Sequence, residues 1–390
     1  MKAGWQSTRL GEVYDVRDGT HDSPQYHLTG FPLITSKNLK QNGLDFDDIK
    51  LISEDDYRKI NARSVVHIGD VLFAMIGTIG NPTVVRMKPN FAIKNVALFK
   101  LNSSQNSNFL KYYLDSPIVI SKMKLEAKGT TQKFVGLGYL RDFPINLPPL
   151  PEQQRIVTIL DEAFEGIATA TANAKKNLAN ARELFESYLQ SVFASKKDGW
   201  KEVALGEVCK FEGGSQPPKN LFEYTYKEGL IRLIQIRDYK SDKNVVYIPL
   251  EKAKRFCNEN EIMIGRYGPP VFQILRGLKG AYNVALMKAI PDKKIVTDEF
   301  MFFLLQHPAI QKYVISLSER AVGQTGISRD DLEAYRIYYP DLEIQSKLTD
   351  NIITLSSETK KLEAIYQQKL TALQELKKSI LNQAFSGQLN

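Results

Sequence analysis

The stretch PPLPEQQRIVTILDEAFEGIATATANAKKNLANARELFESYLQSVFAS, residues 148–195, decides the fold. Pro148 and Pro149 stop whatever precedes them. Pro151 stands where a first helical residue belongs, since its missing N–H costs nothing there, and Glu152 puts negative charge in the first turn. Apolar or small residues then recur at three-and-four spacing: Ile156, Leu160, Ala163, Ile167, Ala170, Ala174, Ala181, Leu184, Tyr188 and Val192. The pattern predicts one narrow seam along a long helix. At 1.5 Å per residue that helix runs about 65 Å, more than a globular domain needs. Such a seam asks for one partner helix of equal length.

The C-terminal part supplies it. Asp341 is placed to cap a second helix whose seam reads Leu348, Ile352, Leu355, Leu362, Tyr366, Leu373, Leu376 and Ile380, and Gly387 stands past Phe385 as a stop signal. The two helices align without a gap at an offset of 192: Pro148 falls on Pro340, Gln153 on Gln345, Leu184 on Leu376 and Phe193 on Phe385.

The segments before the helices repeat as well. Gly4-Trp5 returns as Gly199-Trp200 and Leu10-Gly11-Glu12-Val13 as Leu205-Gly206-Glu207-Val208. Leu33-Ile34 returns as Leu233-Ile234, Asn95-Val96-Ala97-Leu98 as Asn283-Val284-Ala285-Leu286, and Ser116-Pro117 as His307-Pro308. The offsets drift through 195, 200, 188 and 191, so a framework is duplicated while its loops differ in length. The chain therefore reads as head (residues 1–147), helix (148–195), head (196–339), helix (340–390). The expected fold class is α+β: two similar mixed α/β heads separated by two long helices packed as an antiparallel coiled coil, with a pseudo-twofold internal repeat. In the first head, strands are expected at Phe31 to Thr35, within Val65 to Ile76, at Thr83 to Met87 and at Asn95 to Leu101. Helix is expected from Phe109 to Leu125 with a break at Pro117.

Composition narrows the function. The 390 residues carry a formal net charge of +8, which favours a polyanionic partner. There is no run of ~18 apolar residues to span a membrane, and Met1 to Trp5 lacks an apolar signal core, so a cytoplasmic protein is expected. Cys209 and Cys257 have no metal-ligand spacing, which favours plain reduced thiols. Catalytic motifs are missing. Asn81-Pro82 is followed by Thr83-Val84 rather than by the proline and aromatic of an amino-methyltransferase tetrad, and no GxxxxGK(S/T) phosphate loop is present. Pro291-Asp292-Lys293-Lys294 reads as a turn, since no acidic-x-Lys element of a nuclease follows at a suitable distance. His21, beside Asp18 and Asp22, has no second histidine nearby, so a solvated loop is expected there rather than a metal site.

The passage GTTQKFVGLGYLRDFPINLPPLPEQQRIVTIL, its second copy GQTGISRDDLEAYRIYYPDLEIQSKL, and the ending KKSILNQAFSGQL resemble the specificity subunit of type I restriction–modification systems. The second copy departs from the proline-rich form, with Tyr338-Tyr339-Pro340 and Glu343-Ile344-Gln345 in place of LPP and PEQQ. The resemblance implies two target-recognition domains, each reading one half of a split asymmetric site on double-stranded DNA. It implies helices that space them and dock two modification subunits, and no catalysis in this chain. S-adenosylmethionine would belong to the modification subunits, and ATP with Mg to restriction subunits when those join.

Direct reading of bases calls for Arg on guanine and Asn or Gln on adenine, with most other contacts going to phosphate. The DNA-binding candidates are therefore polar residues of glycine-bearing loops: Lys37, Asn38, Thr130, Thr131, Gln132 and Lys133 in the first head, and Arg237, Arg266, Tyr267, Gln324, Thr325 and Arg329 in the second. On the first long helix, Lys175, Lys176 and Arg182 form a solvated face or meet DNA or an acidic partner. Charge and helices alone also admit a rival from another class, a coiled-coil adaptor with two protein-binding heads.

Overall fold

The computed structural model describes residues 4–194, 197–268, 270–320 and 327–389. The chain divides into two compact units, Met1–Lys175 with Gln367–Asn390, and Lys176–Tyr366. Each holds one head, the adjoining part of the first long helix, Leu150–Phe193, and part of the second, Leu342–Ser386.

In the first unit the strand Gln6–Arg9 pairs antiparallel with Pro144–Leu147, so the head opens and closes at one point, beside the start of the long helix. Its main sheet is antiparallel in the order Asp15–Asp18, Val96–Lys100, Val71–Ala74, Gly80–Val84. The two central strands, VALFK and VLFA, are almost wholly apolar because they are covered on both faces. A smaller sheet has Phe31–Ile34 at its centre, antiparallel to Lys50–Ile52 and parallel to Ala92–Ile93. Helices Ser107–Asp115 and Pro117–Leu125 follow, and Pro117 opens the second, where a missing N–H is tolerated.

The core of this unit joins Phe73 and Phe99 of the sheet to Phe109 of the helix. It also takes in Ile156 and Leu160 from the start of the first long helix, and Leu381 and Ala384 from the end of the second. Phe385 meets Phe109 and Tyr113 edge-on, with centroids 5.4 and 5.5 Å apart. A start packed with an end makes the helix pair antiparallel within this unit.

The second unit repeats the plan. Lys201–Ala204 pairs with Arg336–Tyr339, and the main sheet runs Cys209–Gly213, Leu286–Pro291, Ile262–Gly265, Gln273–Leu275. The small sheet again has a parallel pair, Leu230–Ile234 with Gly280–Tyr282. Its core joins Phe211, Ile264 and Phe300 to Val192 and Phe193 from the end of the first long helix and Ile352 from the start of the second. This part of the helix pair is antiparallel too, and Arg182 bridges the two helices to Glu363 at 3.4 Å.

One joint is built on the same plan in both units. Gln153 is 1 % exposed; its Oε1 accepts the Asn106 N–H at 2.9 Å and its Nε2 donates to the Pro148 carbonyl at 2.8 Å. Gln345 is 0 % exposed; it accepts the Thr297 N–H and donates to the Ile295 and Pro340 carbonyls, each at 2.9 Å. Asn106 and Thr297 are the N-caps of equivalent head helices. Each glutamine therefore fixes the first turn of a long helix to the start of a head helix. At the second start, Asp341 caps as expected, its Oδ1 accepting the Ile344 N–H at 2.9 Å. Gly387 ends that helix with φ +76°, a left-handed conformation that suits glycine.

The structure corrects several expectations. The buried and half-buried positions of the first long helix include Leu160, Phe164, Ile167, Thr171, Ala174, Leu178, Ala181, Phe185, Tyr188 and Val192, spaced in alternating steps of four and three. Leu184 lies one step outside this seam and is 56 % exposed. On the second long helix Leu362 and Leu376 are likewise 40 % and 47 % exposed, and Glu363 and Lys377 hold the heptad positions beside them. The shared tetrapeptide Asn-Val-Ala-Leu is not structurally equivalent. Gly19 N–H bonds the Val96 carbonyl and Gly214 N–H bonds the Leu286 carbonyl, both at 3.0 Å, so Val96 corresponds to Leu286 rather than to Val284. Neither glycine can be replaced by a larger residue, because an added Cβ would stand 2.1 Å from the Ile93 carbonyl or 1.9 Å from the Asn283 carbonyl. Residues 65–70 form a loop rather than a strand, held by the Asp70 carboxylate accepting the His67 N–H at 2.8 Å. The strand expected at Thr83 begins at Gly80, and the first long helix begins at Leu150, one residue before Pro151.

Candidate nucleic-acid interface

Thr130, Thr131, Gln132 and Lys133 form the exposed tip of one tight loop. Its neck is the antiparallel bridge between Lys128 and Phe134, bonded both ways at 3.0 and 2.8 Å. Gly129 turns the chain with φ +99°, and a Cβ there would stand 2.2 Å from the Gln132 carbonyl. The loop is also tied to the main sheet, since Gly77 N–H bonds the Lys133 carbonyl at 2.8 Å and Val135 N–H bonds the Met75 carbonyl at 2.9 Å. Two hydroxyls, an amide and an ammonium group thus stand on a rigid base.

Lys37 and Asn38 lie on the turn Ser36–Asn38. Lys37 is exposed; Asn38 is buried, its Oδ1 accepting the Thr35 N–H and hydroxyl at 2.9 Å each and its Nδ2 donating to the Asp45 carbonyl at 3.1 Å. Asn38 thus shapes the turn that presents Lys37. The turn is joined to the 77–82 segment by Asn81 Nδ2, which donates to the Leu39 carbonyl at 2.7 Å. The first-head candidates therefore fall on two loops linked through one strand end.

In the second head the equivalent turn is Ile236–Tyr239. Asp238 takes the place of Asn38, accepting the Gln235 N–H at 3.1 Å, and burial pushes its carboxyl up despite Arg232 and Arg237 nearby. Arg237 is exposed and donates to the Asn244 carbonyl at 3.2 Å. Arg266 is half-buried, donates to the Ile327 carbonyl at 3.2 Å and lies 5.5 Å from the Tyr267 ring centre. Arg329, on the short helix Arg329–Ala334, pairs with Glu333 at 2.6 Å, a bond that holds its guanidinium above the ordinary value. Arg266, with Tyr267 beside it, is thus tied to Ile327, two residues before Arg329. Gln324 and Thr325 lie outside the described residues.

Sequence reasoning missed a third loop. His27 pairs with Leu51 and Glu223 with Tyr247, both at an offset of 196, so the base of this loop is the same in both heads. Beyond it the second head is four residues longer, which accounts for most of the drift from 195 to 200. The tips are apolar in both: Leu28 is 100 % exposed, Tyr224 72 % and Tyr226 63 %. The jump in offset was the signal that could have found it. His21 is not merely solvated: its ring nitrogens bond Asp18 Oδ2 and Asn95 Oδ1, each at 2.8 Å, and Arg63 holds the other Asp18 oxygen.

The family model described as the type I restriction modification DNA specificity domain matches this chain twice, over residues 2–180 and 197–374. The chain belongs to that family. Among relatives, the type I restriction enzyme MjaX specificity subunit of Methanocaldococcus jannaschii is 23% identical, the match covering 99% of this chain and 93% of that one. The EcoBI specificity subunit of Escherichia coli is 22% identical over 83% of this chain and 74% of its own. A solved chain from work on complex assembly and conformational transition of the type I R-M system matches with TM-score 0.82 at 20% identity, over 100% of this chain and 99% of that one. The HsdS subunit from Thermoanaerobacter tengcongensis matches with TM-score 0.63 at 20% identity, over 100% and 98%. Both heads of this specificity subunit are thus DNA specificity domains, and the adaptor alternative is not favoured. Among the described residues no helix is long and apolar enough to cross a membrane.

Proposed function

We propose that the two heads read the two halves of a split, asymmetric site on double-stranded DNA, and that the chain lends this specificity to a type I restriction–modification complex in the cytoplasm. One observation carries the reading: the same framework occurs twice, with the joints and the strand order of the main sheet kept and the loop tips changed. In the first head Lys37 and the Thr130 to Lys133 tip would face the duplex, with Asn38 as a loop-former. In the second, Arg237, Arg266, Tyr267 and Arg329 would do so together with Gln324 and Thr325.

The long helices would hold the heads at a set spacing and dock two modification subunits. Leu184 and Leu376 support this: they are equivalent by the repeat, both are about half exposed, and neither lies in the seam. An apolar side chain left in water at equivalent places in both copies suits two copies of one partner. Methyl transfer from S-adenosylmethionine would take place in those subunits, with ATP and Mg used by restriction subunits when these join. This chain would supply no catalytic group. Single-molecule sequencing of the host genome tests the reading: methylated adenines should fall in a split motif that vanishes when the gene is deleted. Methylation unaffected by the deletion would reject it.

A further inference from the structure

Within the first unit, a groove of about 980 Å³ runs between the head and the helix pair. Lys124 of the head, Lys175 of the first long helix and Lys377 of the second line it, with Phe164 and Thr171 on its floor. Among the described residues no carboxylate is bonded to Lys124 or Lys175, and both are exposed. Lys377 lies over the Phe164 ring, 5.1 Å from its centre. The groove's one carboxylate, Asp115, is half-buried. Lys378 lines the groove as well but is paired with Glu375 at 2.7 Å, so three further lysines line one open groove with the half-buried Asp115 as its one carboxylate.

The fold does not require this charge. At the corresponding places of the second copy stand Ile315, Gln367 and Phe185, by offsets of 191 and 192. A joint of the same plan forms there without the lysines, so packing does not call for the charge of Lys124 and Lys175, while Lys377 also faces Phe164 and Asp115.

We propose that this groove receives the phosphate backbone of DNA beside the half-site read by the first head, with Lys124, Lys175 and Lys377 as phosphate contacts. The inference rests on the DNA reading above. Thr78 stands on the groove wall, and its neighbour Gly77 is bonded to Lys133 of the exposed loop, so a strand laid on that loop continues at the groove. The face offered to a modification subunit lies elsewhere. Gln374 and Lys378 line the groove, and Leu376 lies between them, turned about 200° from each on a helix of 3.6 residues per turn. Docking at Leu376 leaves the groove open.

The test uses the full chain assembled with its modification subunits, carrying Lys124→Gln, Lys175→Gln and Lys377→Gln, and measures binding to the methylated motif across a salt series. Each lost phosphate contact lowers the slope of log K against log salt by about 0.9, so a fall of about 2 to 3 is expected, with the motif unchanged. An unchanged slope overturns the proposal, as does loss of the modification subunits on purification, which would assign the groove to protein. If the wild-type complex itself shows no preference for a split site, the DNA reading fails instead.

Discussion

The buried glutamines are the smallest features on which the architecture depends. Removing Gln153 leaves one N–H and one carbonyl without partners; removing Gln345 leaves one N–H and two carbonyls. A buried group left unsatisfied costs about 1–3 kcal/mol. Gln153→Ala should therefore destabilise the chain by about 2–4 kcal/mol and Gln345→Ala by more, an order that urea unfolding can check. Asp115 adds a pH effect. Burial raises its carboxyl above the usual 3.8, outweighing Lys377 and Lys111. The folded state then holds the proton more tightly, so stability falls as pH rises from 3.8 through the folded value. Asp115→Asn should be more stable than wild type at neutral pH, and the advantage should vanish below pH 3.8. An advantage independent of pH would show that the carboxyl is not the cause.

At the scale of elements, the long helices were legible because apolar spacing, proline and capping chemistry all agree there. Their faces were less so. A leucine reads as core, yet Leu184, Leu362 and Leu376 stand a step outside a seam that runs through Ala174, Ala181 and Thr359. The heptad position beside each of these leucines is taken by Phe185, Glu363 or Lys377, which leaves the leucine on the outer face. Leu184→Glu and Leu376→Glu should change unfolding free energy by less than about 0.5 kcal/mol yet abolish capture of the modification subunit. Ala181→Leu should instead cost about 1–3 kcal/mol through overpacking. Capture that survives both glutamates would place the docking face elsewhere. The strands taught a related lesson: identical letters at Asn95 to Leu98 and Asn283 to Leu286 mislead by two residues. Pairing geometry obeys the Gly19 and Gly214 contacts, which leave no trace in a comparison of identities. Loop candidates were legible only as polar tips near glycine. Whether an amide is exposed at a loop tip, as at Gln132, or bonded into its own turn, as at Asn38, depends on the structure around it.

For the whole molecule, duplication makes the helices both the frame of each unit and the link between them. The first long helix keeps a four-and-three alternation and the second does so through Thr359, Glu363, Tyr366, Leu370 and Leu373, so one heptad added to each preserves the seam. Seven residues add about 10 Å at 1.5 Å per residue, equal to at most about 3 base pairs at 3.4 Å each. A heptad turns a helix through nearly two full turns, short by about 20°, so the heads should keep their faces toward the duplex. If the helices set the distance between half-sites, methylome sequencing of a strain carrying both insertions should find the same two half-sites around a longer spacer. An insertion in one helix alone breaks the pairing of seam residues and should reduce folded protein rather than retarget it. The same half-sites at the original spacing in the doubly inserted protein would mean that the DNA, or the modification subunits, fixes the distance and the helices merely follow.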